Sequence, residues 1–142
     1  MWLVITIISL GLFLCFVIYM SWKKGKIAGL FREMKLSGET FIINPEFASF
    51  RGATSKYGRV KCDGVIGLTN DKIIFIPFIG SKTEISLKKI CDVTEEKKFL
   101  GCYRAGMTVL VLHEQEVDIG FYVKDHIKWQ NTITGIIKTN KE

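Results

Sequence analysis

From Trp2 to Trp22 the chain carries no charged side chain, and no other feature constrains its fold as strongly. As a helix rising about 1.5 Å per residue, this stretch covers roughly 30 Å, the hydrocarbon thickness of a bilayer. Thr6 and Ser9 can hydrogen-bond back onto the helix, so neither argues against burial in lipid. Trp2 at one end, and Tyr19 with Trp22 at the other, suit the two interfaces. A secretory signal peptide is the rival reading. It would need a basic leader, a shorter apolar run and a small-residue cleavage site. Only Met1 precedes the run, no Ala-x-Ala pattern follows it, and Leu12 to Cys15 lacks the small residues of a lipoprotein site. The expectation is an uncleaved transmembrane helix over residues 2–22.

All 20 Lys and Arg and all 14 Asp and Glu lie after Trp22. Lys23, Lys24 and Lys26 follow the span at once, then Arg32 and Lys35. The positive-inside rule puts the N-terminus outside the cell membrane and the remainder in the cytoplasm. These lysines either contact anionic headgroups, at about 1 kcal/mol each, or serve only as the topology signal. Cysteine usage agrees with a reducing compartment. Cys15 lies in the span, and Cys62, Cys91 and Cys102 are scattered with no Cys-x-x-Cys. They read as small buried hydrophobes, with no metal site expected.

A chain of 142 residues, 48% apolar with two prolines, supports one packed domain and excludes a disordered protein. Residues 23–37 read as a basic, amphipathic connector. Ile27, Leu30, Phe31 and Met34 form a helical stripe, whose apolar face lies either on the membrane or under the domain. After Gly38 come short β signals: Phe47–Gly52, Arg59–Thr69, Lys72–Phe78, Lys82–Leu87, Ile90–Val93, Gly106–His113 and Glu116–Val123. Asn70-Asp71 and Glu114-Gln115 supply turns. The period then changes. Trp129, Ile133, Ile136 and Ile137 share one helical face, with Asp125 placed to cap it and residues 139–142 as a polar tail. Trp129 is expected in the core.

The segment Gly64-Val-Ile-Gly-Leu-Thr-Asn-Asp-Lys-Ile-Ile-Phe-Ile-Pro77 resembles a hairpin of GRAM domains and bacterial PH-like domains. Ile85-Ser-Leu-Lys-Lys-Ile-Cys-Asp-Val93 is similar to the segment that follows it in them, and Trp129 matches their inward tryptophan on the last helix. The resemblance covers residues 38–138. It implies a mainly β, PH-like (GRAM-type) barrel of about seven antiparallel strands in two nearly orthogonal sheets. A C-terminal α-helix caps one open end, and here one transmembrane helix precedes the whole. The resemblance also implies a place for a lipid headgroup. Phosphoinositide-binding relatives carry basic residues across the first two strands and their loop, where this chain has Arg51, Lys56, Arg59 and Lys61. With Arg59 and Lys61 on one face of a strand and Lys56 arriving from the loop, three cations would converge on a phosphate. Alternatively, they form a solvated basic edge that discourages aggregation.

Glu95 to Lys98 reads as a solvated loop. Phe99-Leu100, with Tyr103, is either an exposed contact for a protein partner or folded under the barrel. His113 and His126 read as surface histidines without partners. No nucleophile elbow, phosphate-binding glycine loop, zinc-helix motif or dinucleotide fingerprint occurs. Neither catalysis nor a cofactor is expected, and with the positive charge gathered beside the span, nor is nucleic acid. The expected function is a non-enzymatic, single-pass, membrane-anchored module that binds anionic phospholipid headgroups or membrane-associated partners at the cytoplasmic face. The alternative is an accessory or scaffold subunit of a membrane protein complex.

Overall fold

The computed structural model describes residues 1–140, without the side chains of Trp2 and Leu3. The interfacial role given to Trp2, and Lys141 and Glu142 of the tail, lie outside the described residues. Helix α1 runs unbroken over Trp2–Leu36. From Val4 onward it is long and apolar enough to cross a membrane, and none of its apolar window is buried against the rest of the chain. It ends where Ser37 Oγ donates to the Met34 carbonyl at 2.6 Å and Gly38 turns the chain at φ 75°.

The last turns of α1 leave the apolar stretch and dock on protein. Leu30 and Met34 are buried against Val65, Ile74 and Ile76, with Phe31, Phe41 and Phe78 packed around them. Of the two uses open to the connector stripe, packing on the domain is the one adopted. Gly67 permits the approach, since a Cβ there would stand 2.7 Å from the Phe41 ring and 3.0 Å from Met34 Sδ. Burying Leu30 and Met34 stabilises the junction by about 1.5–3 kcal/mol each.

Nine strands follow: β1 Phe41–Ala53, β2 Cys62–Thr69, β3 Lys72–Pro77, β4 Thr83–Ser86, β5 Asp92–Glu96, β6 Lys98–Phe99, β7 Cys102–Tyr103, β8 Val109–Glu114 and β9 Val117–Tyr122. Seven form one antiparallel sheet in the order β4-β3-β2-β1-β9-β8-β5, and β6 and β7 form a separate hairpin. The long β1 curls this sheet. It pairs with β2 through Phe50 and with β9 from Ser49 to Ala53, with register shifts along both edges. The expected closed barrel of two sheets is therefore one strongly bent sheet with two free edges. Strands β4 and β5 are the two edges and do not pair. The chain leaves β4 through a 3-10 turn at Leu87–Lys89, and Leu87 and Ile90 plug the gap as core residues.

The core fills the concave face. Phe50, Phe75 and Phe121 meet with ring centres 5.3–6.0 Å apart. Helix α2, His126–Thr139, adds Trp129, Ile133 and Ile137. Its N-terminus is capped as expected, Asp125 accepting from the Lys128 N–H at 3.0 Å. The Trp129 indole donates to Glu46 at 2.9 Å, so its polar edge is satisfied within the core. Several boundaries differ from expectation, among them β5, which is Asp92–Glu96 rather than Ile90–Val93, and β8, which starts at Val109 rather than Gly106. β1 starts at Phe41, and β2 starts at Cys62 rather than Arg59. The charged run is not a free loop either, because Glu95 and Glu96 complete β5 opposite Leu110 and Val109.

Candidate functional site

The bent sheet has two ends. The β2–β3 turn and α2 lie at one, and the β1–β2 loop, residues 54–61, and the β3–β4 loop, residues 78–82, lie at the other. The expected headgroup residues belong to this second end, the mouth. Because residues 54–61 form a loop, the alternation of a strand does not govern them, and the four cations do not converge.

Lys56 is drawn to the end of β8, its ammonium 3.0 Å from Glu114 Oε1. Tyr57 donates to Glu114 Oε2 at 2.6 Å. Glu114 is 6% exposed. Burial raises its carboxyl, but the bonds from Tyr57 and Lys56 outweigh this and hold it below the usual carboxylate range. The same bond to Glu114 raises the Lys56 ammonium. Lys56 adopts φ 58°, a left-handed conformation that these bonds hold in place.

Arg51 points to the outer face. Its guanidinium lies 4.9 Å over the Tyr122 ring, 3.3 Å from Cys102 Sγ and 3.5 Å from Ser49 Oγ. A hydrogen bond from Lys61 lowers the Cys102 thiol, burial opposes it, and Arg51 lowers it further. Arg51 is thus held against a thiol of the β6–β7 hairpin. Arg59 is exposed, and no hydrogen bond or ion pair to its side chain occurs among the described residues.

The mouth itself is apolar. A cavity of about 270 Å³ opens there, floored by the Phe50, Phe75 and Phe121 cluster and rimmed by Val60 and Ile79, and no charged side chain lines it. Val60 is 80% exposed and Ile79 81%. Beside it, a cavity of about 200 Å³ joins Phe78 and Ile79 to Tyr19, Trp22, Lys23 and Lys26 of α1. Lys26 sits 5.0 Å over the Trp22 ring, and Lys24 is exposed.

The expected partner contact at Phe99-Leu100 is largely withdrawn. Phe99 is only 6% exposed, buried with Val109, Val111 and Tyr122. Its ring lies where a Cβ on Gly120 would stand, so the glycine makes the seat. Leu100, at 41% exposure and φ 44°, and Tyr103 remain at the surface.

Two groups escaped the sequence reading. His113 bridges Asp118 through Nδ1 at 2.6 Å and Thr94 through Nε2 at 2.7 Å, and His126 Nδ1 lies 2.7 Å from Glu95. Both histidines thus have carboxylate partners. Cys91 is exposed, not buried. The His113 pair was legible as cross-strand neighbours once the β8–β9 turn is set at Gln115.

No protein-family model matches the sequence, and no curated protein matches it. Solved structures do show likeness. The C-terminal domain of an unknown protein from Leishmania infantum is 15% identical, with 78% of this chain and 98% of that one covered and a TM-score of 0.47. The Vps36 N-terminal PH domain is 20% identical over 72% of this chain and 82% of that one, with a TM-score of 0.44. The Slm1 PH domain in complex with phosphoserine is 16% identical over 69% and 97%, with a TM-score of 0.42. Likenesses this distant carry no argument about ligand. The PH-like arrangement, a bent seven-stranded antiparallel sheet with a C-terminal helix at one end, rests on the sheet order and on the packing of α2.

Proposed function

We propose that this chain is a single-pass, membrane-anchored PH-like module of GRAM type that works at the cytoplasmic surface of the cell membrane without catalysing a reaction. In this reading residues 2–22 span the bilayer, residues 23–37 form the juxtamembrane segment and residues 38–138 form the domain. One observation carries it. The helix that holds the apolar stretch continues unbroken to Leu36, and its last turns are buried on the sheet. A span continued rigidly into a docked helix orients the domain as well as tethering it. The side joined to Trp22 and Lys23 is the mouth, so the rim faces the headgroups. Lys23, Lys24, Lys26 and Arg59 then supply charge toward anionic lipid, at about 1 kcal/mol each near the surface. Tethering raises the local concentration of lipid, so weak contacts suffice.

A second reading, an accessory subunit that binds a membrane protein, draws on exposed Leu100 and Tyr103 beside the hairpin. The two are separated with the full chain in nanodiscs of neutral and of anionic lipid. Anionic lipid should slow amide exchange in residues 54–61, and salt or Arg59→Glu/Lys61→Glu should reverse that protection. No difference between the two lipids would overturn the headgroup reading and leave cross-linking at Tyr103 to test the second.

A further inference from the structure

The mouth has the wrong lining for a phosphate and a suitable one for hydrocarbon. Of the cations expected there, Lys56 is tied to Glu114, Arg51 is turned to Cys102 on the outer face, and exposed Arg59 and Lys61 are not in the cavity lining. The cavity lining is mostly apolar, with Phe50, Phe75, Phe121, Val60 and Ile79, and Ser81 and Thr83 add hydroxyls. An open cavity with a mostly apolar lining favours apolar guests, which gain by leaving water. Val60 and Ile79 stand exposed on two separate loops, one on each side of the opening. Ile79 also lines the neighbouring cavity with Tyr19 and Trp22, at the end of the apolar stretch. The cavity therefore opens beside the surface from which hydrocarbon can enter.

We infer that the mouth is an acyl-chain site: Val60 and Ile79 dip into the boundary between headgroups and chains, and the cavity between them receives a segment of one phospholipid acyl chain from the bilayer that holds α1. This rests on the membrane-anchored reading above, and it changes what the module senses. Occupancy would depend on how readily a chain leaves the bilayer, hence on chain packing and unsaturation, rather than on headgroup phosphates.

The experiment uses the full chain reconstituted in neutral phosphatidylcholine vesicles. One set contains phosphatidylcholine with a diazirine midway along an acyl chain, and the other a lipid with the diazirine on its headgroup. After photolysis, adducts are mapped by peptide mass spectrometry. The acyl probe should label residues 57–62 and 75–81 as well as the span. Val60→Asp/Ile79→Asp should lower the domain adducts at least severalfold and leave those in residues 2–22 unchanged. Lys128→Glu/Lys138→Glu, on the exposed face of α2, should leave both in place. Both aspartates replace exposed side chains, so the fold tolerates them, and unchanged domain melting checks this. Acyl adducts confined to residues 2–22, or equal labelling of the mouth by the headgroup probe, would overturn the acyl-chain site while leaving the anchor intact. No acyl adducts anywhere in residues 2–22 would overturn the anchor and, with it, this inference.

Discussion

The two ends of the bent sheet are built from the same kind of residues and finished in opposite ways. At the end that holds the β2–β3 turn, the chain closes its own core. Trp129, Ile133 and Ile137 pack inside, and the one polar atom of the indole is matched to Glu46. At the mouth, the Phe50, Phe75 and Phe121 cluster is roofed by two loops only, and aliphatic side chains point outward from them. A sheet can satisfy its apolar surface with its own helix or with another phase. Here the open end lies beside the aromatic end of α1, where an apolar phase would be.

This contrast orders the expected effects of mutation. Trp129→Ala should cost the most, about 3–5 kcal/mol, because it empties the closed end and removes the indole bond to Glu46. Thermal unfolding of the detergent-solubilised full chain reads it as a large fall in Tm. Gly67→Val comes next. Its side chain would meet Phe41 and Met34, lifting the last turns of α1 from the sheet at about 1–3 kcal/mol. Faster amide exchange in residues 27–36 should accompany the loss of stability.

Glu114→Gln tests the rim of the mouth, and its effect depends on pH. Glu114 is held below the carboxylate range in the folded state, so its contribution is complete above about pH 4.3, the unfolded value, and fades as pH falls through the lower folded value. The variant should be less stable than the parent at neutral pH, by about 1–3 kcal/mol. The gap should narrow as the solution is acidified below pH 4, which denaturant titrations at several pH values would show. Val60→Asp and Ile79→Asp should change stability least, within about 0.5 kcal/mol, since nothing in the chain covers them. If these two unfold the domain as strongly as Trp129→Ala, the mouth is a second closed core and the contrast fails.

Much of this architecture could be read from residue patterns. The apolar span, the Asn70-Asp71 hairpin, the alternating face of β9 and the inward stripe of α2 follow local periodicity, and periodicity survives folding when one face is buried. The residues of the site were less legible. Arg59 and Lys61 looked like one face of a strand because the apolar run from Val65 was extended backward. The ladder with β1 stops at Cys62, and before it the chain makes a turn at Gly58, φ 86°, whose carbonyl accepts from the Ala53 N–H at 2.8 Å. Lys56 found Glu114, 58 residues away, and Arg51 found Cys102, 51 away. Partnerships at such separations depend on sheet order, which no single segment encodes. The stripe of Ile27, Leu30, Phe31 and Met34 was visible, but which surface it covered could not be read without knowing that Gly67 leaves a gap on the outer face of β2.

The most direct measurement is the depth of the domain against a bilayer. The full chain, isotopically labelled, would be placed in nanodiscs carrying gadolinium-chelated headgroups, and paramagnetic broadening of amide signals recorded along residues 38–140. The expected result is a gradient, strongest at residues 58–61 and 78–81 and weakest at residues 131–139 of α2. Broadening that is uniform over the domain, or strongest in α2, would contradict the claim that the docked helix holds the mouth at the membrane.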